Sequence, residues 1–113
     1  MFLQSNNIKI LCKNFRSKIG EIDIIGQGKA KDITNPGRQI DVIIFFEVKY
    51  RKTDRAGFAE SAVDWKKQKT ICRVSDYYRV VNNLSEDTPV RYDVIAVNDN
   101  TISWYENAFG YVR

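Results

Sequence analysis

Two short stretches hold the residues best able to do chemistry: Glu21-Ile22-Asp23-Ile24-Ile25 and Phe45-Phe46-Glu47-Val48-Lys49-Tyr50-Arg51. Asp23 lies in an apolar run, where an unpaired carboxylate is costly. Side chains alternate along a strand, so Ile43, Phe45, Glu47, Lys49 and Arg51 share a face that begins apolar and ends charged. In the first stretch Glu21, Asp23 and Ile25 share a face, with Ile22 and Ile24 on the other. If the two stretches pair as a hairpin, Asp23 faces the neighbourhood of Glu47 and Lys49. Two carboxylates and an amine then converge at one end of a sheet.

That set suits Mg²⁺ or Mn²⁺, hard cations that take one or two carboxylates, waters and phosphate oxygens. Asp23 and Glu47 would hold the ion, with the carbonyl of Val48 as a further oxygen ligand. The metal would acidify a bound water and polarise a scissile phosphate. Lys49 would orient that water or offset charge developing on the phosphate. The same residues also fit a plainer reading, in which Glu-x-Lys marks a solvated edge or a cross-strand ion pair and Asp caps a turn.

Composition narrows the classes. The chain has 113 residues, 43% hydrophobic and 12% aromatic, which is one globular domain spanning residues 1–113. It has no histidine, which excludes a Ser-His-Asp or Cys-His nucleophile pair and a His-ligated zinc. Carboxylates, lysine or tyrosine must then carry any proton or metal chemistry. A net charge of +4 and a pI near 9.1 bias the protein toward polyanions such as nucleic acid. No window approaches the roughly 18 apolar residues of a membrane span, and the first residues begin no signal peptide, so a cytoplasmic protein is expected. Cys12 and Cys72 have no metal spacing and read as core thiols.

The elements that must position the acids follow from periodicity. Residues 2–6 read as the end of a helix, 8–15 and 21–25 as strands, 27–39 as a glycine- and proline-bearing hairpin loop, and 40–51 as a third strand. After a polar connection, a helix is predicted over 60–81, with Val63, Ile71, Val74, Tyr78 and Val81 on its buried stripe. Lys66, Lys69 and Arg73 form a second stripe, either a solvated face or a set of phosphate contacts. Tyr77 and Tyr78 read as rim and core, and Asp93 as the ion-pair partner of Arg91. Strands over 90–97 and 101–105 complete an α+β or α/β sandwich around a mixed five-stranded sheet.

Read in order, Asn14-Phe15-Arg16, Gly20-Glu21-Ile22-Asp23, Phe46-Glu47-Val48-Lys49-Tyr50-Arg51, Val63 with Lys67-Gln68, Arg91-Tyr92-Asp93-Val94 and Asn107-Ala108-Phe109 resemble the bacterial YraN family, also called UPF0102. That family is similar to PD-(D/E)XK nucleases and Holliday-junction resolvases, which implies a restriction-endonuclease-like fold. By this resemblance Asp23, Glu47 and Lys49 stand for the motif's acid, acid and lysine, and Gln68 for a polar residue lining the site. Nucleic-acid contacts are expected from Arg16, Arg51, Lys66, Lys67, Lys69 and Arg73. Family members open with a helix bearing Gly-x-x-Gly-Glu-x-x-Ala, whereas this chain starts near that helix's end, at Phe2-Leu3-Gln4. The helix is therefore read as truncated, with Glu21 standing in for an acid it would supply. The expected function is a Mg²⁺-dependent endonuclease acting on DNA, with no membrane partner and a homodimer left open. The alternatives are a silent nucleic-acid-binding module of the same fold and a protein-interaction domain.

Overall fold

The computed structural model describes residues 2–50, 63–99 and 101–113. The elements are α1 (Phe2–Ser5), β1 (Lys9–Ser17), β2 (Gly20–Lys31), β3 (Gln39–Tyr50), α2 (Trp65–Val81), β4 (Val90–Val97) and β5 (Ile102–Phe109). The strands form one sheet in sequence order, β1-β2-β3-β4-β5. All neighbours are antiparallel except β3 and β4, whose parallel pairing runs from Ile43↔Val90 to Tyr50↔Val97. A parallel pair cannot be joined by a tight turn, so the chain between them must cross over the sheet, and α2 lies in that crossover. The architecture is α+β around a mixed five-stranded sheet, consistent with a restriction-endonuclease-like sandwich.

β3 supplies both faces of the core. Ile43 and Phe45 pack with Ile22, Ile25, Ile71, Val74, Tyr78, Tyr92 and Val94 beneath α2. Val42, Ile44 and Phe46 pack on the opposite face with Leu3, Ile8 and Ile95. The uninterrupted apolar run of β3 is what a central strand buried on both sides requires. The start of α2 is fixed by Asp64, whose side chain accepts the Lys67 N–H at 2.8 Å. Gly20, opening β2, lets the helix seat on the hairpin, because a Cβ there would lie 2.6 Å from Thr70 Cγ2.

Several boundaries differ from the sequence expectation. β2 runs through the glycines to Lys31 instead of ending at residue 25. Gly26 and Gly28 are in-strand close approaches: a Cβ on them would meet the Ile8 side chain at 2.6 and 2.8 Å. The hairpin loop shrinks to 32–38, closed by Asp32, whose carboxylate accepts Thr34 N–H at 2.9 Å. β5 continues to Phe109, past Asn107 at φ 52°. The helix begins at Trp65, and the expected first residues 60–62 lie outside the described residues. Val81, expected in the buried stripe, is exposed at the helix's last position, whereas Cys72 and Ser75 join the core. Cys12 is only half-buried, at the margin of that core. Tyr78 is buried and Tyr77 exposed.

Candidate functional site

The β2–β3 ladder runs from Lys31↔Gln39 to Ile24↔Phe46. One step further, the Val48 N–H donates instead to Asp23 Oδ2 at 2.8 Å. A side-chain carboxylate thus takes a main-chain amide where the two strands part. The neighbouring strand is irregular at the same level. The β1–β2 register passes from Lys13↔Ile24 to Phe15↔Ile22, and between them Asn14 adopts a left-handed φ of 52°. Strict alternation also breaks in β2 here: Ile22 and Ile25 share the cluster beneath α2, and Ile24 packs against the opposite one. The expectation that Ile22 and Ile24 point the same way is therefore corrected, and Asp23 sits at the break.

β3 keeps its alternation, so Glu47 follows Ile43 and Phe45 onto the helix face, with its side chain 6% exposed. Its carboxyl hydrogen-bonds with that of Asp23. Lys49 Nζ lies 3.8 Å and Lys67 Nζ 3.6 Å from Glu47 Oε2. Burial pushes the Glu47 carboxyl up to about 7, and the Asp23 hydrogen bond and charge push the same way. Lys67 and Lys49 oppose this without cancelling it. Two acids and two ammonium groups thus meet where β2, β3 and the first turn of α2 converge. Glu47 retains an unmet demand for positive charge.

Among the described residues no three Asp, Glu, Cys or His side chains gather as a metal cluster. The donor set is two carboxylates, which matches an ion such as Mg²⁺ that keeps several waters. Asp93 is unavailable for that purpose. It is wholly buried and accepts four hydrogen bonds, from Arg91 Nε and Nη2, Trp104 Nε1 and the Asn107 N–H. Glu21 pairs with Arg16 Nε at 3.1 Å.

The other named residues separate into groups. Lys67, expected as a nucleic-acid contact, reaches the acid pair directly. Gln68 donates its side-chain N–H to Val63 O and its main-chain N–H to Asp64 O, both at 2.9 Å, and so braces the turn that carries Lys67. Lys66 is exposed, and Lys69 Nζ stands 5.3 Å from the Trp65 ring centroid. Arg73 departs from that stripe: it lies 5.0 Å over the Tyr111 ring, 3.4 Å from Asp76, and donates to Val112 O. Arg16 is exposed at the hairpin end, and Arg51 lies outside the described residues.

Sequence reasoning missed a cleft on the far side of the acids. A cavity of about 330 Å³ opens on the sheet face away from α2, lined by Lys13, Asn14, Asp23, Ile24, Val48 and Tyr50. Asp23 therefore borders this cleft while bonding to Glu47, which lies on the helix face. The available signal was asparagine, which among non-glycine residues readily adopts positive φ, inside a strand.

Among the described residues no helix is long and apolar enough to cross a membrane. Residues 1–97 match the uncharacterised protein family UPF0102. A UPF0102 protein of Clostridioides difficile is 43% identical over 110 residues, covering 96% of this chain and 86% of the relative. One from Thermodesulfovibrio yellowstonii is 42% identical over 108 residues, covering 96% and 85%. One from Lachnoclostridium phytofermentans is 36% identical over 108 residues, covering 96% and 82%. The chain belongs to the UPF0102 family.

Proposed function

We propose that this protein is a divalent-metal-dependent endonuclease-like protein that hydrolyses phosphodiester bonds of DNA. One observation carries the reading: the buried Glu47 carboxyl, pushed up to about 7 by its burial and by the half-buried Asp23 beside it, with Lys49 and Lys67 within 3.8 Å. A carboxyl perturbed by burial and a charged neighbour is a feature of functional sites. Asp23, Glu47 and the Val48 carbonyl would hold Mg²⁺ or Mn²⁺, which when bound supplies an acidified water and a polarised phosphate. Lys49 offsets charge at the reacting phosphate, and Lys67 keeps Glu47 oriented toward Asp23. Gln68 serves by fixing the turn that presents Lys67. The +4 net charge favours approach of a polyanion, with Arg16, Arg51, Lys66 and Lys69 as contacts to the backbone and Arg73 a lesser one.

Plasmid, branched and single-stranded DNA incubated with Mg²⁺ or Mn²⁺ tests this directly. The parent protein should cut at least one of them, and Asp23→Ala should cut none. A protein that binds metal and DNA yet never cuts would leave the non-cleaving binding module, a reading favoured by the donor set of two carboxylates without a third.

A further inference from the structure

The cleft behind Asp23 has a composition that the acid pair does not explain. Tyr50 is 80% exposed although it follows Ile44, Phe46 and Val48 on a face that is otherwise packed. The remaining tyrosines of the central strands and α2 include two, Tyr78 and Tyr92, that are buried in aromatic contacts. Across the cleft Lys13 supplies a cation, and Asn14, held at φ 52°, supplies an amide that can both donate and accept. A ring, a cation and an amide around about 330 Å³ match the parts of one nucleotide: a flat base, a phosphate and a base edge. The volume is at the small end for ligand sites, too small for a duplex. A base still paired in a helix cannot lay its face on a side chain, because its neighbours already cover it.

We infer that this cleft binds one unpaired nucleotide of a single strand, with its base on Tyr50 and its phosphate toward Lys13. The inference rests on the proposed action on nucleic acid and names the substrate class: unpaired strand instead of continuous duplex. Because Asp23 borders the cleft and contacts Glu47 on the other face of the sheet, a strand held there would lie against the Asp23 side of the acid pair.

Fluorescence anisotropy without divalent ions separates this from cleavage. A labelled thymidine oligonucleotide and a blunt duplex of equal length would be titrated with the parent, Tyr50→Ala, Tyr50→Phe and Lys13→Ala. Tyr50→Ala should weaken single-strand binding by roughly fivefold to a hundredfold and leave duplex binding unchanged. Tyr50→Phe should retain affinity, since the ring and not the hydroxyl stacks. Lys13→Ala should reduce the salt slope on single strands by about 0.7. Unchanged single-strand affinity in Tyr50→Ala, or equal loss on both ligands, would overturn the inference while leaving any Asp23-dependent cleavage intact. Displacement of the oligonucleotide by thymidine monophosphate as efficiently as by unlabelled strand would overturn it as well. A Tyr50-dependent preference for single strands in a protein that never cuts would support the subsite and refute the nuclease reading. Binding of neither ligand would refute both. Tyr50 is exposed, so its truncation leaves the core untouched, and unchanged thermal melts would verify this.

Discussion

Replacing Glu47 with glutamine should stabilise the metal-free protein, and by an amount that depends on pH. The carboxyl is held at about 7 instead of 4.5, so the folded state binds this proton more tightly than the unfolded chain does. At about 1.36 kcal/mol per pH unit, ionised Glu47 costs the fold about 3 kcal/mol. The cost is absent below pH 4.5, grows between 4.5 and about 7, and is complete above that. The glutamine side chain cannot ionise, and its amide can still hydrogen-bond to Asp23. Urea unfolding of parent and Glu47→Gln at half-unit steps from pH 4.5 to 8 isolates the effect as a difference, because the other titrating groups are common to both. That difference should rise by about 3 kcal/mol across the window. Millimolar Mg²⁺ at pH 8 should raise the parent toward the variant, since an ion bound only by the folded acids stabilises by linkage. A difference that stays flat from pH 4.5 to 8 would refute the argument that burial and Asp23 set this titration.

Three further outcomes follow from the geometry. Metal affinity, measured by calorimetry, should rise about tenfold per pH unit below 7 and level off above it, because the ion displaces the proton of the pair; a pH-independent affinity would remove Glu47 as a ligand. Asp93→Ala should cost about 3–5 kcal/mol in urea unfolding, because it strips four donors of their acceptor and leaves Arg91 largely buried; a cost below about 1 kcal/mol would show that water replaces the carboxylate. Lys66→Glu with Lys69→Glu should reduce the salt slope of DNA binding, whereas Arg73→Gln should change it little, since that guanidinium is engaged with Tyr111, Asp76 and Val112; equal effects would restore Arg73 to the binding face.

The central strand and the facing acids were legible because they follow from the period of two. Ile43, Phe45 and Glu47 do share a face, and the β2–β3 hairpin does bring Asp23 to Glu47. What periodicity could not supply was the break in β2. It coincides with the left-handed Asn14 on a different strand, a conformation that the residue pattern of β2 does not reveal. The glycines misled for a related reason. Gly26 and Gly28 are there for Ile8, which packs over them from another segment, and read alone they resemble a turn. Lys67 and Arg73 show the same limit on a helix. Lys67, at the first turn, reaches β3, whereas Arg73, two turns on, meets the C-terminal segment. Helical spacing groups Arg73 with Lys66 and Lys69, but tertiary contacts assign it elsewhere.

The placement of Glu47 also separates two meanings of a charged strand end. A solvated edge would leave the carboxylate in water, where its ionisation costs the fold nothing and a neighbouring lysine adds at most about 1 kcal/mol. Glu47 is instead 6% exposed, with two lysines at 3.6–3.8 Å that do not bring its carboxyl back to its ordinary range. A glutamine would satisfy the same hydrogen bond to Asp23 without the penalty, so stability alone gives no reason for an acid here. The proposed function supplies a reason: a cation held between Asp23 and Glu47 would favour the ionised form. Asn14, at φ 52°, lines with Asp23 the cleft on the opposite face, and Asp23 accepts the Val48 N–H beside it. Asn14 and Asp23 thus share a cleft with Tyr50. Asn14→Ala, which disfavours that φ, should therefore weaken metal affinity and single-strand binding together, and loss of one without the other would show that the two sites are independent.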